Sequence, residues 1–124
     1  MIFYKPIVDI DVISKEFSLE LIESDCVYGM YFAINEDSET VGKCLVKVNK
    51  YNCYILELEC DYSDKLLIEG FVRASLNFSA NRNAYFANCS LTKICDVLEF
   101  LGFEYKNGTY SGDIPTLLKG SCCK

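Results

Sequence analysis

A long amphipathic helix held between two apolar strands limits the fold of this chain more than any other feature. Across residues 64–81, Leu67, Ile68, Phe71, Val72, Ser75 and Leu76 form a broad apolar face, and Lys65, Glu69, Arg73 and Asn77 recur at spacing four on a polar one. Ser63 reads as the N-cap, and Asp64 is favourable at the positive helix end. Residues 53–60 before it alternate as a strand, Asn81-Arg82-Asn83 ends the helix, and residues 84–88 read as a second, short strand. A strand, a helix and a strand in immediate succession return the chain to the same sheet in parallel, and such crossovers are right-handed.

Upstream lies an antiparallel meander. Residues 27–35 place Tyr28, Met30, Phe32 and Ile34 on one face, a polar turn follows at 35–39, and residues 41–49 set Cys44, Val46 and Val48 against Lys43, Leu45 and Lys47. Strand 53–60 then sets Tyr54, Leu56, Leu58 and Cys60 against Ile55, Glu57 and Glu59. The first 25 residues read less clearly: Phe17, Leu19 and Leu21 alternate as in a strand, yet Ser14 can cap a helix over residues 14–23 with Phe17 and Leu21 on one face, and the helix is the expectation. Downstream, Ser90 reads as the cap of a helix carrying Leu91, Ile94, Cys95, Leu98 and Leu101, with Gly102 as its stop. Residues 103–112 form a hairpin around Asn107-Gly108, a pair suited to a type I′ turn. The apolar segment 114–118 packs over the core, plugs a groove or makes a dimer contact. The expected fold is α+β: a mixed sheet combining an antiparallel meander with one parallel crossover.

Twelve Lys and Arg against eighteen Asp and Glu give a net charge of −6, which argues against nucleic acid or an anionic membrane as partner. The chain has no histidine, which excludes Ser-His-Asp and Cys-His catalysis, His-ligated zinc and any imidazole base. Proton transfer falls to carboxylates, cysteine, tyrosine, lysine or water. The first residues lack the pattern of a signal peptide, and no apolar run approaches the ~20 residues that span a bilayer, so a cytoplasmic protein is expected. Most of the eight cysteines fall in apolar periodic segments, where a reduced thiol acts as a small hydrophobe.

The second helix ends Asp96-Val97-Leu98-Glu99-Phe100-Leu101-Gly102-Phe103. This is similar to the aromatic-x-x-leucine-glycine-phenylalanine helix end of the GNAT (N-acetyltransferase) superfamily. Arg73-Ala74-Ser75-Leu76-Asn77-Phe78 through Asn81-Arg82-Asn83-Ala84 also resembles that family's long helix running into its next strand. The order of elements over residues 27–112 matches as well, so the chain resembles a single GNAT-like domain over 1–124, with a divergent N-terminal segment (1–25) and a C-terminal tail (113–124).

The resemblance implies an acetyl-CoA or other acyl-CoA co-substrate and an amine acceptor. It implies a notch where the parallel strands splay, near Leu58, Cys60 and Asn88, in which freed amides hold the pantetheine arm and polarise the thioester. It implies a pyrophosphate on the turn opening the long helix, beside Lys65 and Leu66, and a catalytic base, Glu59 or Glu57. Glu59 lies nearer the notch; alternatively both glutamates pair with Lys43 and Lys47 across the strands. Two features depart from the family. Its glycine-rich phosphate loop is replaced by Ser63-Asp64-Lys65-Leu66-Leu67-Ile68, and the tyrosine that protonates the leaving thiolate is replaced by Leu98. Tyr85, Tyr105 and Tyr110 are the candidate substitutes. A GNAT-fold interaction module without catalysis is the alternative, and a metal or thiol centre on Cys60, Cys89, Cys122 and Cys123 is a further one.

Overall fold

The structure, a computed structural model, describes residues 1–20 and 22–120. Strand β1 (Phe3–Ile7) and helix α1 (Ile10–Phe17) precede β2 (Val27–Ile34), β3 (Thr40–Asn49), β4 (Asn52–Cys60), α2 (Lys65–Ala80) and β5 (Phe86–Cys89). A 3-10 turn (Thr92–Ile94), α3 (Cys95–Leu101), β6 (Glu104–Lys106), β7 (Thr109–Asp113) and α4 (Ile114–Gly120) complete the chain. The strands form a seven-stranded sheet in the order β1-β2-β3-β4-β5-β7-β6. Among the described residues β4 and β5 are the one parallel pair, so the fold is the expected mixed α+β sheet.

The N-terminal region departs from its sequence reading. Asp9, not Ser14, opens α1: its Oδ1 accepts the Asp11 N–H at 3.0 Å. Ser18, left-handed at φ 52°, closes the helix. The stripe that decides the boundaries is Ile10, Ile13 and Phe17, whose last two members pack with Tyr28, Met30 and Leu45. Leu21, which supported a helix over 14–23, lies outside the described residues. Strand β1 has no counterpart in the sequence reading. It holds its edge position partly through Tyr4, whose hydroxyl donates to the Leu67 carbonyl at 3.0 Å and whose ring meets Phe71 edge-on. Gly70 makes that approach possible, because a Cβ there would sit 1.8 Å from the Tyr4 hydroxyl.

The decisive irregularity is in β4. Glu57 pairs with Leu45, but the next pair is Ile55 with Val46, so Leu56 is an extra residue in a β-bulge. One extra residue reverses the alternation of faces. Ile55 therefore joins Cys53, Leu58 and Cys60 on the α2 side, while Tyr54 and Leu56 lie with Glu57 and Glu59 on the α1 side. Strict alternation had exchanged Ile55 with Tyr54 and Leu56. Lys43 stands opposite Glu59 as expected, but Lys47 faces Tyr54 and Glu57 faces Leu45, so the second expected ion pair is absent.

Asp64, not Ser63, caps α2, its Oδ1 accepting the Leu67 N–H at 3.1 Å. The whole apolar face expected of this helix is buried. Ser90 does not cap the next helix. Its hydroxyl lies 3.2 Å from that of Thr109, and Leu91, in extended conformation, leads into the 3-10 turn instead. Strand β5 starts at Phe86, not at residue 84, because the Tyr85 and Phe86 amides both turn to the Tyr51 carbonyl. Gly102 ends α3 at φ 109°, and Asn107 and Gly108 both have positive φ, as a type I′ turn requires. The segment read as a tail from residue 113 instead begins with α4: Asp113 Oδ2 accepts the Thr116 N–H at 3.0 Å, and Ile114 and Leu117 join the main core.

Candidate functional site

The parallel ladder is short. Asn52, Cys53, Tyr54 and Ile55 of β4 pair with Phe86, Ala87, Asn88 and Cys89 of β5, and there the pairing stops. On β4 the next residue is the bulged Leu56; on β5 the chain turns away through Ser90. Residues 56–60 of β4 continue with no strand on that edge. A cavity of about 290 Å3 lined by Ile55, Asn88 and Cys89 adjoins one of about 330 Å3 lined by Glu57, Leu58, Glu59 and Tyr62, and Ser90 and Leu91 line both. Among the described residues the gap is therefore open, neither zipped by hydrogen bonds nor filled by side chains.

Backbone groups on an unpaired edge need other partners. The Leu58 carbonyl takes the Tyr62 hydroxyl, at 2.5 Å. The N–H of a strand residue points to the same edge as its C=O, so the Leu58 amide also faces an acceptor from outside the sheet. The Leu58 side chain is buried on the core side.

The two candidate bases differ. Glu59 lies 3.6 Å from the Lys43 ammonium, which also donates to the Glu16 carbonyl at 2.7 Å and sits over the Phe17 ring. Glu59 thus belongs to the cluster that fastens α1 to the sheet. Glu57 lines the same cavity, is exposed, and has no hydrogen-bond or ion-pair partner among the described residues. Asn88 uses its side-chain N–H groups on the Cys53 carbonyl (3.2 Å) and Asn52 Oδ1 (3.4 Å), clamping β5 to β4 at the closed end of the gap.

Cys60 and Cys89 flank the gap as thiols. Burial pushes both up to about 11, and Asp61 and Asp64 add to the rise at Cys60. Neither belongs to a group of side chains close enough to share a metal ion among the described residues. Cys122 and Cys123 lie outside those residues.

No family model matches the sequence, and no curated protein matches it. Solved structures do. Mutant forms of the spermidine/spermine N-acetyltransferase SpeG from Vibrio cholerae superpose with a TM-score of 0.65 at 9% identity, over 98% of this chain and 99% of that one. A candidate acyl-CoA N-acyltransferase from Klebsiella pneumoniae gives 0.68 at 10% identity, over 92% and 98%. YhhK of Escherichia coli, solved bound to coenzyme A, gives 0.64 at 10% identity, over 91% and 98%. The chain has the GNAT fold.

The turn opening α2, where the sequence resemblance put a pyrophosphate, is filled by the chain itself. Asp61 Oδ1 accepts from the Ser63 N–H at 3.0 Å and the Ser63 hydroxyl at 2.6 Å, and the Asp64 N–H bonds the Asp61 carbonyl at 3.0 Å. The Leu67 N–H is taken by the Asp64 carboxylate. Lys65 is ion-paired with Asp96 at the start of α3. The position of the missing tyrosine, Leu98, is fully buried. Of its candidate substitutes, Tyr85 and Tyr105 are exposed and Tyr110 donates to Glu99 at 3.0 Å; none lines either cavity of the gap. Tyr62, which the sequence reading passed over, does. Burial raises its phenol above the usual range, and Cys60 and Glu59 add to the rise. The available signal was an aromatic residue inside the acidic 61–64 turn, where nothing in turn chemistry calls for one.

Proposed function

We propose that this protein is an N-acyltransferase of the GNAT type, taking an acyl group from acetyl-CoA or another acyl-CoA thioester and passing it to an amine by direct attack. The observation that carries this reading is the open, unpaired edge of β4 beyond Ile55. An acyl-pantetheine arm entering there extends the sheet, with Leu58 and Cys60 on one side and Asn88 at its closed end. Hydrogen bonding from the Leu58 amide polarises the thioester carbonyl as negative charge develops on its oxygen.

The amine nitrogen attacks the carbonyl carbon, the carbon–sulfur bond breaks, and the electron pair leaves on sulfur. Glu57, unpaired in the cavity, takes the surplus proton of the nitrogen directly or through water, with Glu59 as the second carboxylate. Tyr62, a phenol held protonated by its surroundings, releases the Leu58 carbonyl and donates its proton to the departing sulfur. No covalent intermediate on the protein is needed, and holding both substrates in place supplies much of the rate. Lys65 and Leu66, in the first turn of α2, are the residues nearest the donor's phosphates in this reading. A larger hollow of about 550 Å3, lined by Asn52, Phe86, Asn88, Glu104, Lys106 and Asp113 among others, adjoins the gap at Asn88 and gives an amine room. The partners are thus a small acyl donor and an amine; the acidic surface disfavours nucleic acid. No helix among the described residues is long and apolar enough to cross a membrane. Segment 114–118 is engaged in the core, so a homodimer would use another surface.

The test is calorimetric titration of the reduced protein with acetyl-CoA and CoA, followed by thiol release in the presence of a panel of amines. Saturable binding with amine-dependent thiol release is the expected result. The filled turn before α2 favours a second reading, a GNAT-fold interaction module. Absence of thioester binding at millimolar ligand selects that reading instead.

A further inference from the structure

The two halves of the proposed donor site disagree, and the disagreement concerns the donor. We infer that this protein reads its acyl donor as a pantetheine thioester through the arm alone, and that the turn between β4 and α2 holds no diphosphate. The inference rests on the acyl-transfer reading above and narrows its substrate.

A helix opening binds a diphosphate when several consecutive amides are unpaired and no side chain stands between them and the anion. Here the Ser63, Asp64 and Leu67 amides are already bonded to Asp61 and Asp64, two of them to side-chain carboxylates. Each carboxylate occupies the place a phosphate oxygen would take and carries the same sign of charge. The Lys65 and Leu66 amides, which open α2, lie directly after the Asp64 carboxylate. The nearest cation, Lys65, is already paired with Asp96, which it holds below the usual carboxylate range. Admitting a diphosphate would mean expelling Asp61, breaking the Lys65–Asp96 pair and placing four negative groups together. The arm site makes no such demand: among the described residues the edge of β4 is open and no side chain occupies its cavities.

Two measurements test this. In the first, backbone amide shifts of the whole protein are followed while 3′-phosphoadenosine 5′-diphosphate, the nucleotide half of coenzyme A, is added to millimolar concentration. Unmoved Ser63–Leu67 amides are expected, and a saturable shift there overturns the inference whether or not the protein is an enzyme. In the second, kcat/KM is compared for acetyl-CoA, acetyl-4′-phosphopantetheine and acetyl-pantetheine. Values within threefold of one another are expected, and a tenfold or greater preference for acetyl-CoA overturns the inference. If no thioester is turned over, the acyl-transfer reading fails and the amide titration still decides the turn. Asp61→Gly, which frees the Ser63 amide and removes a charge, is expected to raise acetyl-CoA at least threefold over acetyl-pantetheine. An unchanged ratio means Asp61 is not the obstacle and overturns the argument from occupancy.

Discussion

The gap between β4 and β5 and the turn that opens α2 are separated by a few residues, yet they treat unpaired backbone groups in opposite ways. In the turn, amides are satisfied by side chains two or three positions away, Asp61 for Ser63 and Asp64 for Leu67. In the gap, the edge of β4 has no neighbouring strand, and one carbonyl is satisfied by Tyr62 from the cavity wall. Local bonds of the first kind form wherever an Asp or Ser is suitably spaced. An open edge is different: it persists because α2 packs behind β4 and the bulge at Leu56 bends the strand away. The fold therefore maintains a vacancy at one end of the proposed donor site while the sequence closes the other. A chain selected only to fold would have no reason to keep the first, since unpaired sheet edges invite unwanted association.

The largest effect should come from closing the vacancy. Ser90 is exposed and lines both cavities of the gap, so a bulky aromatic ring at that position is accommodated in space now empty. Ser90→Trp is expected to lower kcat/KM for acyl transfer on the order of 100-fold, by displacing the reacting carbonyl from the β4 amides. Circular dichroism should show the same spectrum and a melting temperature close to that of the wild type. Retained turnover in a folded Ser90→Trp protein would place the thioester somewhere other than this gap. Asp61→Gly in the turn is the contrasting substitution, since it should raise rather than lower the use of acetyl-CoA.

A second effect, of similar size, separates the two glutamates. Loss of a general base slows catalysis by at least about 100-fold when the base acts directly, and Glu57→Gln is expected to lower kcat by that order with little change in KM. Glu59→Gln should lower kcat no more than about threefold, while removing an exposed ion pair whose stabilising contribution is about 0–1 kcal/mol. The opposite ranking would return the role to Glu59 and make the Lys43 pair part of the chemistry. Steady-state kinetics on both variants, with urea unfolding of Glu59→Gln beside them, makes the distinction.

What was legible in the sequence follows from which interactions are local. The α2 stripe, the Asn107-Gly108 turn and the Gly102 stop depend on residues a few positions apart, and each appears where its pattern places it. The parallel crossover was legible because a strand, helix and strand in sequence leave few ways to return to the sheet. The bulge at Leu56 left no mark, because Tyr54-Ile55-Leu56 offers apolar residues for either face and only the register with β3 reveals the extra one. For the same reason Lys47 and Glu57 were matched on paper and are apart in the fold. Strand β1 is an edge strand of mixed exposure, and its hold on the Leu67 carbonyl through Tyr4 spans more than sixty positions. Ser14 and Ser90 are acceptable caps locally, but tertiary packing of Ile13 and Phe17, and the Thr109 hydroxyl beside Ser90, moved both helix starts. In the site, the strand ends and the acidic turn could be read directly; Tyr62 could not, because its role depends on a cavity that exists only once β5 has turned away.

The two thiols at the gap give the finest test of how far the charge of the turn reaches. Cys60 and Cys89 are both pushed up to about 11 mainly by burial, but only Cys60 also feels Asp61 and Asp64. A thiol whose pKa is higher in the folded chain than in the unfolded one binds its proton more tightly when folded, so the stability it contributes is complete below pH 9 and is lost as the pH climbs through about 11. Urea unfolding between pH 7 and 10 should accordingly show stability falling toward the alkaline end. Asp61→Asn removes one negative charge beside Cys60 and none beside Cys89. It should raise the alkylation rate of Cys60 between pH 7 and 9, since that rate follows the thiolate fraction, and leave Cys89 unchanged, as read by mass spectrometry of the alkylated peptides. The effect is smaller than those at Ser90 or Glu57. An equal rise at both thiols would mean that Asp61→Asn had loosened the strand ends together, and the turn and the gap would then be one structural unit rather than two independent halves. A rise confined to Cys60 shows that the turn's carboxylates act through their field at the near wall of the gap and leave the far wall to burial alone.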